Sequence, residues 1–306
     1  MGTRKKPDRG TVAFEATTVL AILFAAAAAA VFAIATVIQH RSASAVPAGH
    51  VSAFQLTLRL AKQPRWLIGK GADFVAFALQ ALALSRGSFI VVQSVLASGV
   101  VLALIIEARL DHHFPSPATL IGSCVVLLGV VLIVGVGQPH GGRPAPPPML
   151  YFVVATLLAA AVAGAIVYTR HHVGQTVAIL LGVGGGICFS MAAAFVRTGG
   201  RRLTQDGLCA GFFASAFGFV VFGVLGNVLV QRAFQLGSLR IVLPSLTAIE
   251  PLTALAIGHV LFDERLHKTI AGRLGGYGGM ALLACGVVIT QLQEATLAAS
   301  PAKVPT

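Results

Sequence analysis

Only a few polar side chains stand inside the long apolar runs of this 306-residue chain, and they define what chemistry it can do. Glu250 lies in the middle of one such run, with Pro251 directly after it. An ionised group at the centre of a bilayer costs roughly 2.5 to 3.5 kcal/mol on insertion scales, so it must face a cavity or find a partner. Pro251 lacks a backbone donor, and Pro244 is a second expected helix break in the same segment. A broken helix beside a carboxylate sets a free carbonyl and an acid together, which suits a proton or a cation. The alternative is a protonated Glu250 hydrogen-bonded across helices.

Asp73 is the second candidate. Lys70 stands one turn earlier on the same helical face, so the two acquire a partner in each other. Asn227 and Gln231 are four residues apart and share a face, while Gln80 and Gln93 supply the corresponding polarity in the first half. These amides either bind a polar solute or hold helices together. Arg197, Arg232 and Arg240 fall near the ends of apolar runs, where snorkelling to lipid headgroups is expected. The pairs His112-His113 and His171-His172 are adjacent residues without a carboxylate at ligand spacing, so they define no metal site, and the metal ligands, if any, stay unknown. Cys124, Cys188, Cys209 and Cys285 stand singly, with neither disulfide nor zinc spacing.

The elements that must carry these residues are membrane helices. Of all residues 56% are apolar and 10% charged, whereas a soluble domain carries roughly 25% charged. About nine candidate spans of the required length appear, near 12–38, 66–85, 88–106, 118–137, 150–168, 175–196, 208–231, 239–262 and 270–291. The first follows the basic segment Arg4-Lys5-Lys6 but is much longer than the apolar region of a signal peptide, so it is kept as a span. The net charge of +12 is placed mainly in loops and tails, where it anchors segments to anionic headgroups, and nucleic acid is not an expected partner.

The expected organisation is a basic tail over 1–11, a first transmembrane repeat over 12–138, and a Pro/Gly-rich linker over 139–149. A connecting helix over 150–168, a second repeat over 169–292 and a flexible tail over 293–306 complete it. Within residues 39–65, the stretch 51–60 is apolar enough to lie at the interface as a short helix.

The division into repeats rests on echoes between the halves. Ala21-Ile22-Leu23 recurs as Ala178-Ile179-Leu180, with Phe32 matching Phe189. Ile90 to Val95 echoes Ile241 to Leu246, Gly122 and Gly129-Val130-Val131 echo Gly279 and Gly286-Val287-Val288, and Gln80 before Gly87-Ser88 parallels Gln231 before Gly237-Ser238. Each span meets its counterpart five spans later. An odd offset inverts the copy, so spans 1–4 and 6–9 form inverted repeats, which in carriers enclose a site near the midplane. Gly182, Gly186 and Ser190, Gly272, Gly276 and Gly275, Gly279, and the run Ala25 to Ala30 are rows of small residues for close helix packing.

The segment Gln231 to Leu239, Leu243-Pro244, Glu250-Pro251-Leu252, Gly258 and Asp263-Glu264-Arg265-Leu266, before a Gly-rich last span, resembles the second half of drug/metabolite transporter superfamily proteins of the EamA type. In the first half Gln93 stands where Pro244 stands, and Glu107-Ala108-Arg109-Leu110 corresponds loosely to Glu264-Arg265-Leu266. Nine spans with a polar stretch in place of a second helix are more similar to the NIPA-type magnesium transporter branch. The superfamily covers amino acids, nucleotide sugars, polyamines, drugs and metal ions, so the resemblance implies transport without naming a cargo.

An all-α polytopic transmembrane bundle is therefore the expected fold, and a secondary transporter of a small polar or amphipathic solute the expected function. Divalent-cation transport through Glu250 and Asp73, or a scaffold that transports nothing, are the alternatives. An enzyme is not expected, because the chain has no P-loop lysine motif, GxSxG or HExxH, and Gly182 to Gly186 lies within an apolar run. No cofactor is expected. The expected partners are a small-molecule or ion substrate and the lipid bilayer, with a homodimer left open, and the expected location is the plasma membrane of a bacterium. The positive-inside rule weakly prefers an inside amino terminus, while the NIPA resemblance places it outside.

Overall fold

The computed structural model describes residues 9–44, 58–110, 117–143, 145–170, 172, 174–236 and 239–299. Its helices, numbered in chain order, are α1 (Arg9–Ser44), α2 (Pro64–Arg86), α3 (Phe89–Ala97), α4 (Gly99–Leu110) and α5 (Pro117–Val131), followed by α6 (Pro148–Arg170), α7 (Gln175–Asp206), α8 (Ala210–Leu236), α9 (Leu239–Val260) and α10 (Ile270–Ala299). A π-helical turn, Leu132–Gly137, extends α5. Eight segments among the described residues are long and apolar enough to cross a membrane, α3 and α4 together forming one of them. They match eight of the expected spans, and the ninth is the 22-residue helix α9. The chain is an all-helical, multi-pass membrane bundle.

Helix ends follow local chemistry. Pro64 occupies the first turn of α2, where its missing N–H costs nothing. Ser88 caps α3, its hydroxyl accepting from Val91 N at 3.4 Å. Several helices run longer than expected: α1 starts at Arg9, within the expected basic tail, α7 continues to Asp206, and α10 reaches Ala299, well into the expected flexible tail. The Gln-Leu-Gln-Glu-Ala sequence from Gln291 is made of good helix formers, which lets the last span continue. Most of the interfacial stretch 51–60 lies outside the described residues, as do His112, His113 and His171.

The small-residue rows set the packing, and they show the inversion directly. A Cβ at Gly129 would lie 2.6 Å from Gly279 O, and one at Gly286 would lie 2.7 Å from Gly122 O. Gly122 and Gly129 are the counterparts of Gly279 and Gly286, so α5 and α10 cross through two contacts that exchange under a pseudo-twofold operation. In α7 a Cβ at Gly182 would collide with Ser245 Oγ, and one at Gly186 would meet Leu246 O at 2.6 Å, so the glycines allow α9 to approach closely. In the first repeat α4 approaches α1 in the same way, a Cβ at Gly99 lying 2.9 Å from Ala29 O. The bundle interior is apolar around Leu84, Phe89, Met191, Ile257 and Phe262, all fully buried. Phe74, Phe152 and Phe217 face outward at 73%, 67% and 71% exposure, an apolar surface suited to lipid rather than water.

The linker between repeats is held in place. His140 and Gly141 pair in antiparallel register with Arg265 and Glu264, Arg143 N donates to Phe262 O at 2.6 Å, and His267 N donates to Gly137 O at 2.9 Å. The linker therefore docks on the turn that follows α9.

Candidate functional site

Crossing direction reverses with every span, so the bundle has one face where α1 starts and another where it ends. Near the α1-end face a polar cluster joins three helices. Lys70 Nζ donates to Asp73 Oδ2 and to Asn227 Oδ1, both at 3.0 Å, and Gln39 Nε2 donates to Asp73 Oδ2 at 2.9 Å. The Lys70 ammonium also stands 5.4 Å from the Trp66 ring centroid. The expected Lys70–Asp73 pair is present, and Asn227 brings the second repeat into it. All four charged or amide groups are partly buried, which is where a paired charge keeps its hydrogen bonds and can still be reached by a solute.

Gln80 and Gln93 meet each other: Gln80 Nε2 donates to Gln93 Oε1 at 3.0 Å, and both residues are buried. Gln231, one turn beyond Asn227, is buried, and its Oε1 has no hydrogen-bond partner among the described residues. Glu250 is half-buried on α9, with its Cγ 3.5 Å from where a Cβ of Gly186 would stand. Ser190 Oγ donates to the Glu250 carbonyl at 3.0 Å. Asp73 and Glu250 thus have separate partners on separate helices, and no described contact joins them.

The expected helix breaks do not occur. α9 runs without interruption from Leu239 to Val260, through both Pro244 and Pro251. A proline removes a single ladder bond, which a helix packed among others tolerates; beside Pro251 the Ser190 hydroxyl of α7 donates to the Glu250 carbonyl.

Arg197 is a second correction. Expected to snorkel to headgroups, it is buried at the α1-start face and donates to Glu264, a fully buried carboxylate. Glu264 Oε1 also accepts from Phe89 N at 2.7 Å, and Oε2 accepts from Ser88 Oγ at 2.8 Å and Ile90 N at 3.0 Å. The acid is therefore the anion at the amino terminus of α3, where backbone dipoles and free N–H groups favour negative charge. The guanidinium packs 4.3 Å from the Phe262 ring centroid, and Phe262 packs on Phe89. Four donors and an aromatic face make burial of this pair tolerable; removing one partner of such a pair costs roughly 3 to 5 kcal/mol.

The same pairing exists in the first repeat. His40 Nδ1 lies 3.3 Å from Glu107 Oε1, at the α1-end face. His40 and Arg197 are related by the 157-residue offset that relates Ala21 to Ala178, and so are Glu107 and Glu264. The signal was legible as a register match, but a histidine replacing an arginine and a loose Glu-Ala-Arg-Leu match concealed it. The two copies differ in closure: side-chain exposure is 6% for Arg197 and 0% for Glu264, against 21% for His40 and 24% for Glu107.

Among the described residues no group of three or more His, Cys, Asp or Glu side chains converges for a metal. His172 stacks on Tyr168 at 3.9 Å between ring centroids.

No protein-family model matches the chain, and no solved structure gives a significant match. The chain is 26% identical over 248 residues to an uncharacterized protein of Corynebacterium glutamicum, the match covering 80% of this chain and 86% of that one. The similarity therefore spans most of both chains, and with the helices it describes a multi-pass membrane protein that has a bacterial relative.

Proposed function

We propose that this protein is a secondary transporter of the drug/metabolite transporter type, carrying a small polar or amphipathic solute across a bacterial plasma membrane by alternating access. The observation that supports it is the cluster in which Lys70 of the first repeat, paired with Asp73, donates to Asn227 of the second, inside a bundle whose halves are inverted copies. Polar groups held at membrane depth across a repeat interface are what a carrier needs and what packing alone does not. In this reading Glu250 couples an ion or meets the solute's charge, Asp73 and Lys70 form an exchangeable pair, and Gln80, Gln93, Asn227 and Gln231 offer hydrogen bonds. A two-acid Mg²⁺ site is less favoured, because Asp73 Oδ2 already binds the Lys70 ammonium, whose charge opposes a divalent cation.

Thermal stability of the purified protein in detergent, measured against metabolites, drugs and divalent ions, tests the proposal. An organic solute that stabilises wild type but not Glu250→Gln or Asp73→Asn supports it. Stabilisation by a divalent ion alone would overturn it in favour of cation transport.

A further inference from the structure

The carrier reading, on which this inference rests, requires that closure at one face alternate with closure at the other. The bundle contains one contact built twice on opposite faces: Arg197–Glu264 where α1 starts and His40–Glu107 where it ends. Sixty-seven positions separate the partners in each pair. The first pair is sealed by Ser88 Oγ and the amides of Phe89 and Ile90, all donating to Glu264. The second is longer, with 21% and 24% of the two side chains exposed.

One span touches both. Its first residues, Phe89 and Ile90, hold Glu264, and Glu107 stands in its last turn. The 18 steps from Phe89 to Glu107 cover roughly 27 Å at the helical rise, close to the hydrocarbon thickness of a bilayer. The span is not one rod. α3 ends at Ala97 and α4 starts at Gly99, with Ser98 between them, its Oγ turned back to Val95 O at 2.6 Å. Gly99 sits against the backbone of Ala29, so the junction between the two halves of the span lies where α4 packs tightly on α1. Withdrawing the start of α3 from Glu264 releases three donors together and shifts the segment that carries Glu107.

We infer that Arg197–Glu264 and His40–Glu107 are paired gates, opened in alternation and coupled by the Phe89–Leu110 span, and that this structure holds both contacts formed, the α1-start one sealed and the α1-end one partly exposed. In energetic terms the sequence has placed a strong lock and a weak lock at symmetric positions. Arginine and histidine differ in charge and reach, so the two states are held unequally.

The test uses single cysteine reporters in a background with the four native cysteines replaced. Ser94→Cys lies one turn inside the Glu264 contact and Ala103→Cys one turn inside Glu107; both native residues are buried. A membrane-impermeant maleimide is applied to one side of sealed vesicles at a time. Arg197→Gln should raise labelling of Ser94→Cys from the α1-start face about tenfold, the effect of about 1.4 kcal/mol of bias, and lower that of Ala103→Cys from the other face. Glu107→Gln should do the reverse. Should Arg197→Gln fail to fold, a His40→Cys/Glu107→Cys variant closed by a short bifunctional thiol reagent leaves the buried pair intact and should lower labelling of Ala103→Cys while raising that of Ser94→Cys. Changes in the same direction at both reporters, or at neither, overturn the gates. A ligand-dependent thermal shift in that same preparation would then leave the carrier reading standing without them.

Discussion

Arg197 donates to Glu264 within the bundle, and Glu264 in turn anchors the amino terminus of α3 from the opposite repeat. One carboxylate therefore joins α7, α3 and the turn after α9. Its substitution acts on all three.

Glu264→Gln keeps the shape but leaves Arg197 without its counter-charge. The expected loss is about 3 to 5 kcal/mol, read as a lower thermal midpoint in detergent. Pairing it with Arg197→Met should restore part of that loss, because the buried cation is gone; a double variant no better than Glu264→Gln alone would contradict the assignment.

Ser88→Ala removes a cap that serves both Val91 N and Glu264. A loss of about 1 kcal/mol is expected from the cap. Ser88→Thr should retain most of the stability in the same unfolding measurement, and Ser88→Ala equal to wild type would refute the dual role.

The crossing of α5 and α10 predicts a contrast among glycines. Gly129→Val places a side chain 2.6 Å from Gly279 O and should cost roughly 1 to 3 kcal/mol or prevent folding. Gly164→Ala on α6 has open space around it and should be neutral or slightly stabilising. Expression and monodispersity by gel filtration in detergent distinguish the two.

The helix count and the inversion were legible because composition and repeat register are written along the chain. Eight of nine spans appear where apolar length places them, and the Gly122/Gly129 to Gly279/Gly286 echo became the crossing of α5 and α10. Lys70–Asp73 was legible from one turn of spacing. What failed was long-range pairing. A single arginine at the end of an apolar run looks the same whether it reaches lipid headgroups or a carboxylate 67 positions away, and only tertiary packing decides. The prolines misled for a related reason: a local rule about the backbone donor does not include the neighbouring helices against which α9 stays helical through Pro244 and Pro251.

Asp73 and Lys70 form a part-buried pair with amide partners on two other helices. Asp73→Asn and Lys70→Met should each destabilise by about 1 kcal/mol, and the double variant should lose less than the sum, with a coupling of about 0.5 to 3 kcal/mol. Strict additivity in the thermal unfolding of the four proteins would show that the pair is not formed.

Counterflow in proteoliposomes separates carriage of a solute from mere binding. Vesicles are loaded with unlabelled solute, chosen as the one that stabilises the protein, and diluted into a trace of labelled solute. A carrier gives transient accumulation of label with wild type, lost in Glu250→Gln. Binding without any accumulation in wild type vesicles would contradict transport.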